Sequence, residues 1–242
     1  MIDWKERFDE QLKWTKELRN KIFDEISFRP NFRLLEVGCG TGALLKEIAE
    51  QFKLKLYGID IDENRIEIAR ENLKQARITA NLQKMDILSN LFKNESFDFI
   101  ATNYLFLWIK DLRKCFEEMH RILKENGILF IFAEPDYGGL VEFPESGLRA
   151  ALISNLRNAG ADPEVARKLN QHFPGKFDVI ESFCASVPWI SNTNKANLLK
   201  ELDFFQAILK EQSFNYDLIK ESIETEKYSL FLPIFSYFLM KT

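Results

Sequence analysis

The sequence predicts an α/β fold, a mostly parallel sheet with helices on both faces. Two observations carry this. Apolar runs of strand length alternate with helical stripes from Leu34 to Ala133, and that alternation favours a parallel sheet covered on both sides. The first run also breaks into Gly38-Cys39-Gly40-Thr41-Gly42. Glycines at alternate positions let a backbone turn tightly and come within contact distance of a ligand.

The elements follow in order. The first strand holds Leu34, Leu35 and Val37, and after the glycine turn Leu44, Leu45, Ile48, Ala49 and Phe52 share one helical face. Residues 54–60 make the second strand, and Ile66, Ala69, Leu73 and Ala76 mark the next helix, with Asp62 as its cap. Residues 82–85 and 97–102 are the third and fourth strands. Leu112, Cys115, Phe116, Met119, Ile122 and Leu123 form a helical stripe, which Asn126-Gly127 is expected to stop. Residues 128–133, ILFIFA, are a wholly apolar fifth strand.

The rhythm changes after Pro135. Asp136-Tyr137-Gly138-Gly139 is turn chemistry. Two helical patterns are expected next with no strand between them. The first carries Leu148, Ala151, Leu152 and Leu156, and the second opens with Asp162 as cap and Pro163 in first position. A strand over 177–187, a helix with Leu198, Leu202, Phe205 and Leu209, and an apolar run over 231–240 close the chain. The expected organisation is one domain over 1–242. Within it, 1–30 form an N-terminal helical cap and 138–174 a helical lid inserted after the fifth strand, where open α/β sheets bind ligands.

Composition narrows the partners. The 242 residues carry a net charge of −4, with 46% hydrophobic residues to fill a core. The charge offers no electrostatic reason to expect nucleic acid. Cys39, Cys115 and Cys184 are odd in number and far apart. They suggest neither a metal site nor a disulfide framework, so cytoplasmic residence is expected. The charged start MIDWKERFDE does not read as a signal peptide. The apolar run at 231–240 is too short to span a bilayer, so no membrane partner is expected.

Carboxylates then point to a ligand. Glu36 lies two residues before Gly38. A carboxylate there would repel a pyrophosphate but suits an ammonium. S-adenosylmethionine carries an ammonium and a sulfonium and no phosphate. Asp60, followed by Ile61, ends the second strand at the ribose-binding position, where one carboxylate can accept from both hydroxyls of a vicinal diol. Asp86 can accept from an adenine amino group, with Ile87 against the ring. Asn103-Tyr104 follows the fourth strand, where the amino-acid end of the ligand should lie.

With these residues in place, the chain resembles the class I S-adenosylmethionine-dependent methyltransferases. Glu36-Val37-Gly38-Cys39-Gly40-Thr41-Gly42 matches the family's first motif, and Asp60 its acidic residue after the second strand. Asp86 and Ile87 match its adenine pair. FDFIATNYLFLW and RILKENGILFIF resemble its fourth- and fifth-strand motifs, although Glu125-Asn126-Gly127 stands where a proline-glycine pair is frequent. The resemblance implies a Rossmann-like seven-stranded sheet whose last strand is antiparallel. It also implies that Gly38 and Asn103 offer backbone carbonyls to the methionine ammonium. EPDYGG resembles small-molecule members.

The expected activity is methyl transfer from S-adenosylmethionine to a small-molecule acceptor by in-line displacement. The fourth strand lacks the proline pair of the amino-group DNA methyltransferases. Weak candidates for a base or substrate contact are His172, Tyr137 and Asp136, and Tyr104 could set its ring near the sulfonium. Arg19 could pair with the methionine carboxylate. A non-catalytic S-adenosylmethionine-binding protein remains open, as does a nicotinamide-dependent oxidoreductase reading of the glycine turn. Monomer and homodimer both remain open.

Overall fold

The computed structural model describes residues 4–24, 26, 28–209 and 213–242, with 187 and 188 by backbone alone. Residues 1–3, 25 and 27 of the expected N-terminal cap lie outside the described residues. In chain order the elements are α1 (Trp4–Trp14), α2 (Lys16–Asp24), β1 (Arg33–Val37), α3 (Ala43–Gln51), β2 (Lys55–Asp60), α4 (Glu63–Gln75), β3 (Ala80–Lys84), β4 (Phe97–Asn103), α5 (Leu112–Ile122), β5 (Leu123–Pro135), β6 (Val141–Phe143), α6 (Leu148–Asn158), β7 (Phe177–Ile190), α7 (Ser191–Ile208), α8 (Tyr216–Glu224) and β8 (Ser229–Lys241). Two compact units emerge. The first holds residues 1–134, 169–183 and 236–242, the second 135–168 and 184–235. The span expected as a lid is thus divided, 138–168 in the second unit and 169–174 in the first.

In the first unit the strands run β3-β2-β1-β4-β5-β8, with β7 beside β8. β1 pairs in parallel with β2 (Leu34 opposite Leu56) and with β4 (Leu34 opposite Phe99). Strands buried on both faces read as near-continuous apolar runs, which is why they stood out in the sequence. β8 runs against β5. Ser236 Oγ donates to Phe132 O at 2.5 Å, while two residues further up β8 the ring of Phe238 stacks on Phe130 at 5.3 Å. The α/β expectation and the antiparallel last strand therefore hold. Asp62 caps α4 by accepting from Asn64 N at 2.9 Å, as expected.

The core of this unit is aromatic. Phe130 stacks on Phe99 at 5.6 Å and on Phe132 at 5.4 Å, and Phe23 brings α2 edge-on to Phe132.

The second unit pairs β6 antiparallel with residues 229–231 of β8. Leu148 of α6, Leu198 and Leu202 of α7, and Ile219 and Ile223 of α8 meet around one small cavity. Glu142 of β6 ties down the start of α6, accepting from Ser146 Oγ at 2.6 Å and Leu148 N at 3.0 Å.

Three local expectations are corrected. Asn126-Gly127 does not stop α5. The helix ends at Ile122, and its last carbonyls are taken by Glu95 N on Arg121 O (3.0 Å) and Ser96 N on Ile122 O (2.8 Å), so no glycine cap is needed. Asn126, at φ +57°, lies instead inside β5, in an irregularity between Leu123 opposite Phe97 and Ile128 opposite Phe99. The helix expected from Asp162 is a tight 3₁₀ segment, Ala166–His172. Asp162 does accept from Glu164 N at 3.0 Å, but the chain continues through i→i+3 bonds such as Lys168 N to Val165 O at 2.8 Å. A short strand, β6, stands where none was expected, because three residues are too few to show a period. Among the described residues no helix is long and apolar enough to cross a membrane.

Phe130 contacts four rings, those of Phe28, Phe99, Phe132 and Phe238, so Phe130→Ala is expected to cost about 3–5 kcal/mol of stability, read by urea unfolding.

Candidate active site

The site grows from the turn that ends β1. Gly38 N and Cys39 N both donate to Ile59 O, at 2.8 and 3.0 Å, so β2 holds the turn from one side. Asn72 Nδ2 of α4 holds it from another, donating to Thr41 O at 3.0 Å. Gly38 and Gly40 have φ of +73° and +50°, the left-handed region that side chains avoid. Space gives a second reason. A Cβ at 38 would lie 2.8 Å from Leu105 Cδ1, and one at 40 would lie 3.0 Å from the Phe8 ring of α1.

Asp60 is buried at the end of β2 and accepts twice from backbone, from Gly40 N on Oδ2 (2.9 Å) and Asp62 N on Oδ1 (3.0 Å). Each oxygen keeps a further lone pair for a ligand hydroxyl. Ile61 beside it is exposed, an apolar face available to a ring. Asp86 is exposed after β3 and accepts from Leu88 N at 2.9 Å, with Ile87 buried behind it. Glu36 is 3% exposed near the end of β1, and its Oε2 has no hydrogen-bond partner among the described residues. Burial, then the nearby Asp60, push its carboxyl well above the usual range, with Arg19 pulling the other way. Thr41 Oγ1 and Asn103 Oδ1 are likewise buried without partners. Cys39 is buried and its thiol is pushed well up by desolvation, which leaves it inert.

The loop after β4 faces Gly38. Tyr104 takes φ +55°, and Leu105 packs toward the glycine. Beneath it Glu134, fully buried at the end of β5, accepts from Leu105 N (3.1 Å), Phe106 N (3.0 Å) and Leu107 N (2.9 Å). Glu134, Leu105 and Phe8 were missed in the sequence. The one available signal was a carboxylate directly after six apolar residues, since a buried charge must find donors.

Arg19 is placed otherwise than expected. It is fully buried and its guanidinium grips Glu47 of α3 with two bonds (Nε–Oε1 2.9 Å, Nη2–Oε2 2.7 Å). Its remaining contacts are Thr15 Oγ1 at 2.5 Å and Leu12 O at 2.6 Å. It thereby joins α1 and α2 to the helix that follows the glycine turn.

The three base candidates separate. His172, in the first unit, stacks on Phe116 at 5.8 Å, and Phe116 stacks on Phe106 at 5.0 Å. Desolvation, then Lys176, lower its pKa, so its imidazole is neutral at pH 7. Asp136, in the second unit, is buried and bound by both Arg167 Nε (2.8 Å) and Nη2 (2.9 Å). Tyr137 opens the 3₁₀ turn after it, with its N donating to Pro163 O at 2.9 Å. Among the described residues no group of three or more His, Cys, Asp and Glu is arranged to hold a metal.

Comparison with known proteins adds to this geometry. A family model described as a methyltransferase domain matches residues 35–131. Phosphoethanolamine N-methyltransferase 2 of Caenorhabditis elegans is 29% identical over 127 residues, 51% of this chain and 27% of that protein. Malonyl-(acyl-carrier protein) O-methyltransferase of Legionella pneumophila is 28% identical over 138 residues, 53% of this chain and 46% of that protein. The chain thus spans about a quarter of the first relative and half of the second. A crystal structure of Haemonchus contortus phosphoethanolamine N-methyltransferase 2, in complex with phosphomonomethylethanolamine and S-adenosylhomocysteine, shares the fold. Its TM-score is 0.57 at 16% identity, over 95% of this chain and 56% of that one.

Breaking a buried ion pair leaves its partner uncompensated. Arg19→Ala is therefore expected to lower stability by about 3–5 kcal/mol in urea unfolding. A loss within the range of a surface pair, about 1 kcal/mol or less, would mean that α1 and α2 are held by other contacts.

Proposed function

We propose that this chain, which belongs to the class I S-adenosylmethionine-dependent methyltransferases, moves a methyl group from S-adenosylmethionine to a small-molecule acceptor. One observation carries the cofactor: two buried oxygens, Glu36 Oε2 and Asn103 Oδ1, have no hydrogen-bond partner among the described residues and lie on strands that pair with each other at the glycine turn. An orphaned buried acceptor is costly, and a cationic ligand with an ammonium would satisfy both. The residues fit the cofactor. Glu36, Gly38, Cys39, Gly40, Thr41, Gly42, Asn103 and Tyr104 would line its methionine end. Asp60 would accept from the ribose hydroxyls. Asp86, Ile61 and Ile87 would hold the adenine. Arg19 would act on the methionine end through the helices it joins to α3.

When bound, the cofactor supplies a methyl group already activated on a sulfonium. The protein's task is then position and the exclusion of water. The buried acidic end of the sheet favours a cation over a pyrophosphate, which sets this site apart from a nicotinamide site. Of the three base candidates, His172 has the chemistry for the role, because its imidazole is held neutral and can take a proton. Asp136 is already engaged, since Arg167 holds both of its oxygens. The relatives' acceptors are a phosphorylated amine and a carrier-bound acyl group, by name. Of these two kinds the first is a small molecule, and a small polar acceptor, in the cytoplasm and without nucleic acid or membrane, is the reading we favour.

The deciding experiment is calorimetric titration with S-adenosylmethionine and S-adenosylhomocysteine, with NADPH as control, on wild type and Asp60→Ala. Micromolar-range binding of the first two, weakened at least about tenfold in the variant, is the expected result. Binding of NADPH alone would overturn it. Once binding is established, release of S-adenosylhomocysteine across an acceptor panel separates an enzyme from a binding protein.

Glu36 adds a pH dependence. Its carboxyl is raised in the folded state, so the folded chain holds a proton that the unfolded chain gives up near pH 4.3, roughly. The stability this contributes is present below that pH and is lost as pH rises through the raised value. Glu36→Gln mimics the protonated form. Its stability advantage over wild type should widen as pH rises, while its S-adenosylhomocysteine affinity falls. Parallel stability curves would show that Glu36 does not titrate in this window.

A further inference from the structure

We propose that Glu134 is a positioning residue, which fixes the loop after β4 against the glycine turn so that the cofactor meets a preformed wall. The proposal rests on the cofactor reading above.

Three consecutive backbone N–H groups converge on this one carboxylate, Leu105 and Phe106 on Oε2 and Leu107 on Oε1. Their convergence comes from backbone geometry. Tyr104 is left-handed at φ +55°, and Leu105 follows at φ −99° and ψ −51°. The N–H groups of Leu105, Phe106 and Leu107 stand at the start of the 3₁₀ turn Phe106–Trp108, whose first donors have no partners within the turn. The Glu134 carboxyl is their acceptor, supplied by the neighbouring strand.

The strand is built to deliver it. The pairing of β4 with β5 slips by one residue at its end, from Thr102 opposite Ile131 to Asn103 opposite Ala133. A bulge of this kind re-aims the side chains beyond it. Ala133 O accepts from Tyr104 N at 2.8 Å, and Glu134 takes the next three donors. Four successive N–H groups are thus held by two successive residues of β5.

What the clamp holds is the wall of the site. A Cβ at position 38 would lie 2.8 Å from Leu105 Cδ1, and residue 38 is left-handed at φ +73°, so glycine suits the position on both counts. Asn103, whose Oδ1 has no partner among the described residues, is the residue at which the shifted register resumes. Burying the carboxyl also has a cost. Burial pushes the Glu134 carboxyl up to about 8 even though its three N–H partners pull the other way. The N–H groups that open the 3₁₀ turn need an acceptor, and Glu134 meets three of them from one side chain. A ligand wall gains from this, because an unclamped loop would have to be ordered at the moment of binding.

The test is Glu134→Gln, which keeps the size but replaces one acceptor oxygen with a donor that faces backbone N–H groups. Hydrogen exchange is followed at Leu105, Phe106 and Leu107 and at core amides of β1 and β5, alongside titration with S-adenosylhomocysteine. We expect exchange at the three loop amides to rise at least about tenfold while the core amides hold, with affinity for S-adenosylhomocysteine falling about tenfold. Unchanged loop amides, a uniform rise across the sheet, or unchanged affinity would each overturn the proposal. Glu134→Asp keeps the carboxyl group on a shorter arm and serves as well if the glutamine variant does not fold. Its loop protection and affinity should lie between glutamine and wild type, and protection no better than in the glutamine variant would count against the clamp. If wild type binds no S-adenosylhomocysteine, the cofactor reading itself fails and this inference with it. If wild type binds and Glu134→Gln binds equally, only the clamp fails.

Discussion

Ile59 O and the Asp60 carboxylate hold the glycine turn through the N–H groups of Gly38, Cys39 and Gly40. The turn needs such anchors, because left-handed glycines have conformational freedom to lose. Other parts of the site are referred to this clamp. Phe8 of α1 packs on Gly40, Leu105 packs on Gly38, and Asn72 fixes Thr41. A residue that touches the turn is therefore constrained by β2 even when it sits in the N-terminal helix or after β4. Asp60 has a double part here. The carboxylate that shapes the loop is also the one we propose for the ribose, so under that proposal loop geometry and ligand recognition cannot be separated at this residue.

What was legible in the sequence divides along one line. Patterns set by a local period were readable: the strands with Leu34, Leu56 and Phe99, the stripe of α5, and Asp62 as a cap. The candidate loop was readable too, because glycines at alternate positions have few other uses. Features decided by a distant segment were not. The end of α5 is set by Glu95 and Ser96, whose N–H groups take the last helical carbonyls, and no residue of α5 records that. Arg19 reads equally well as a solvated residue or a ligand group until Glu47 of α3 is placed beside it. Glu134 is meaningful only once β4 and β5 are paired with their slip in register.

Charge explains why the site has the sign it has. Glu36, Asp60 and Asp86 stand at or near the C-terminal ends of three adjacent strands, β1, β2 and β3. Two of them are buried, and Glu36 is driven toward its protonated form by that burial and by Asp60. A chain selected for stability alone would replace such a pair with apolar residues. Under the proposed function, retaining it lowers the cost of burying a cation there.

The same logic bears on where chemistry can be assigned. Methyl transfer from a sulfonium asks little of side chains beyond placement, so the residues that matter most are those that hold backbone in position. Glu134 and Asp60 are both of this type: each is a carboxylate at the end of a strand, and each accepts from backbone N–H groups of a loop that lines the site. Asp60 keeps lone pairs free for the ligand, whereas Glu134 is sealed behind the loop. Under the proposed function, one carboxylate recognises the ligand and the other aligns the loop that faces it.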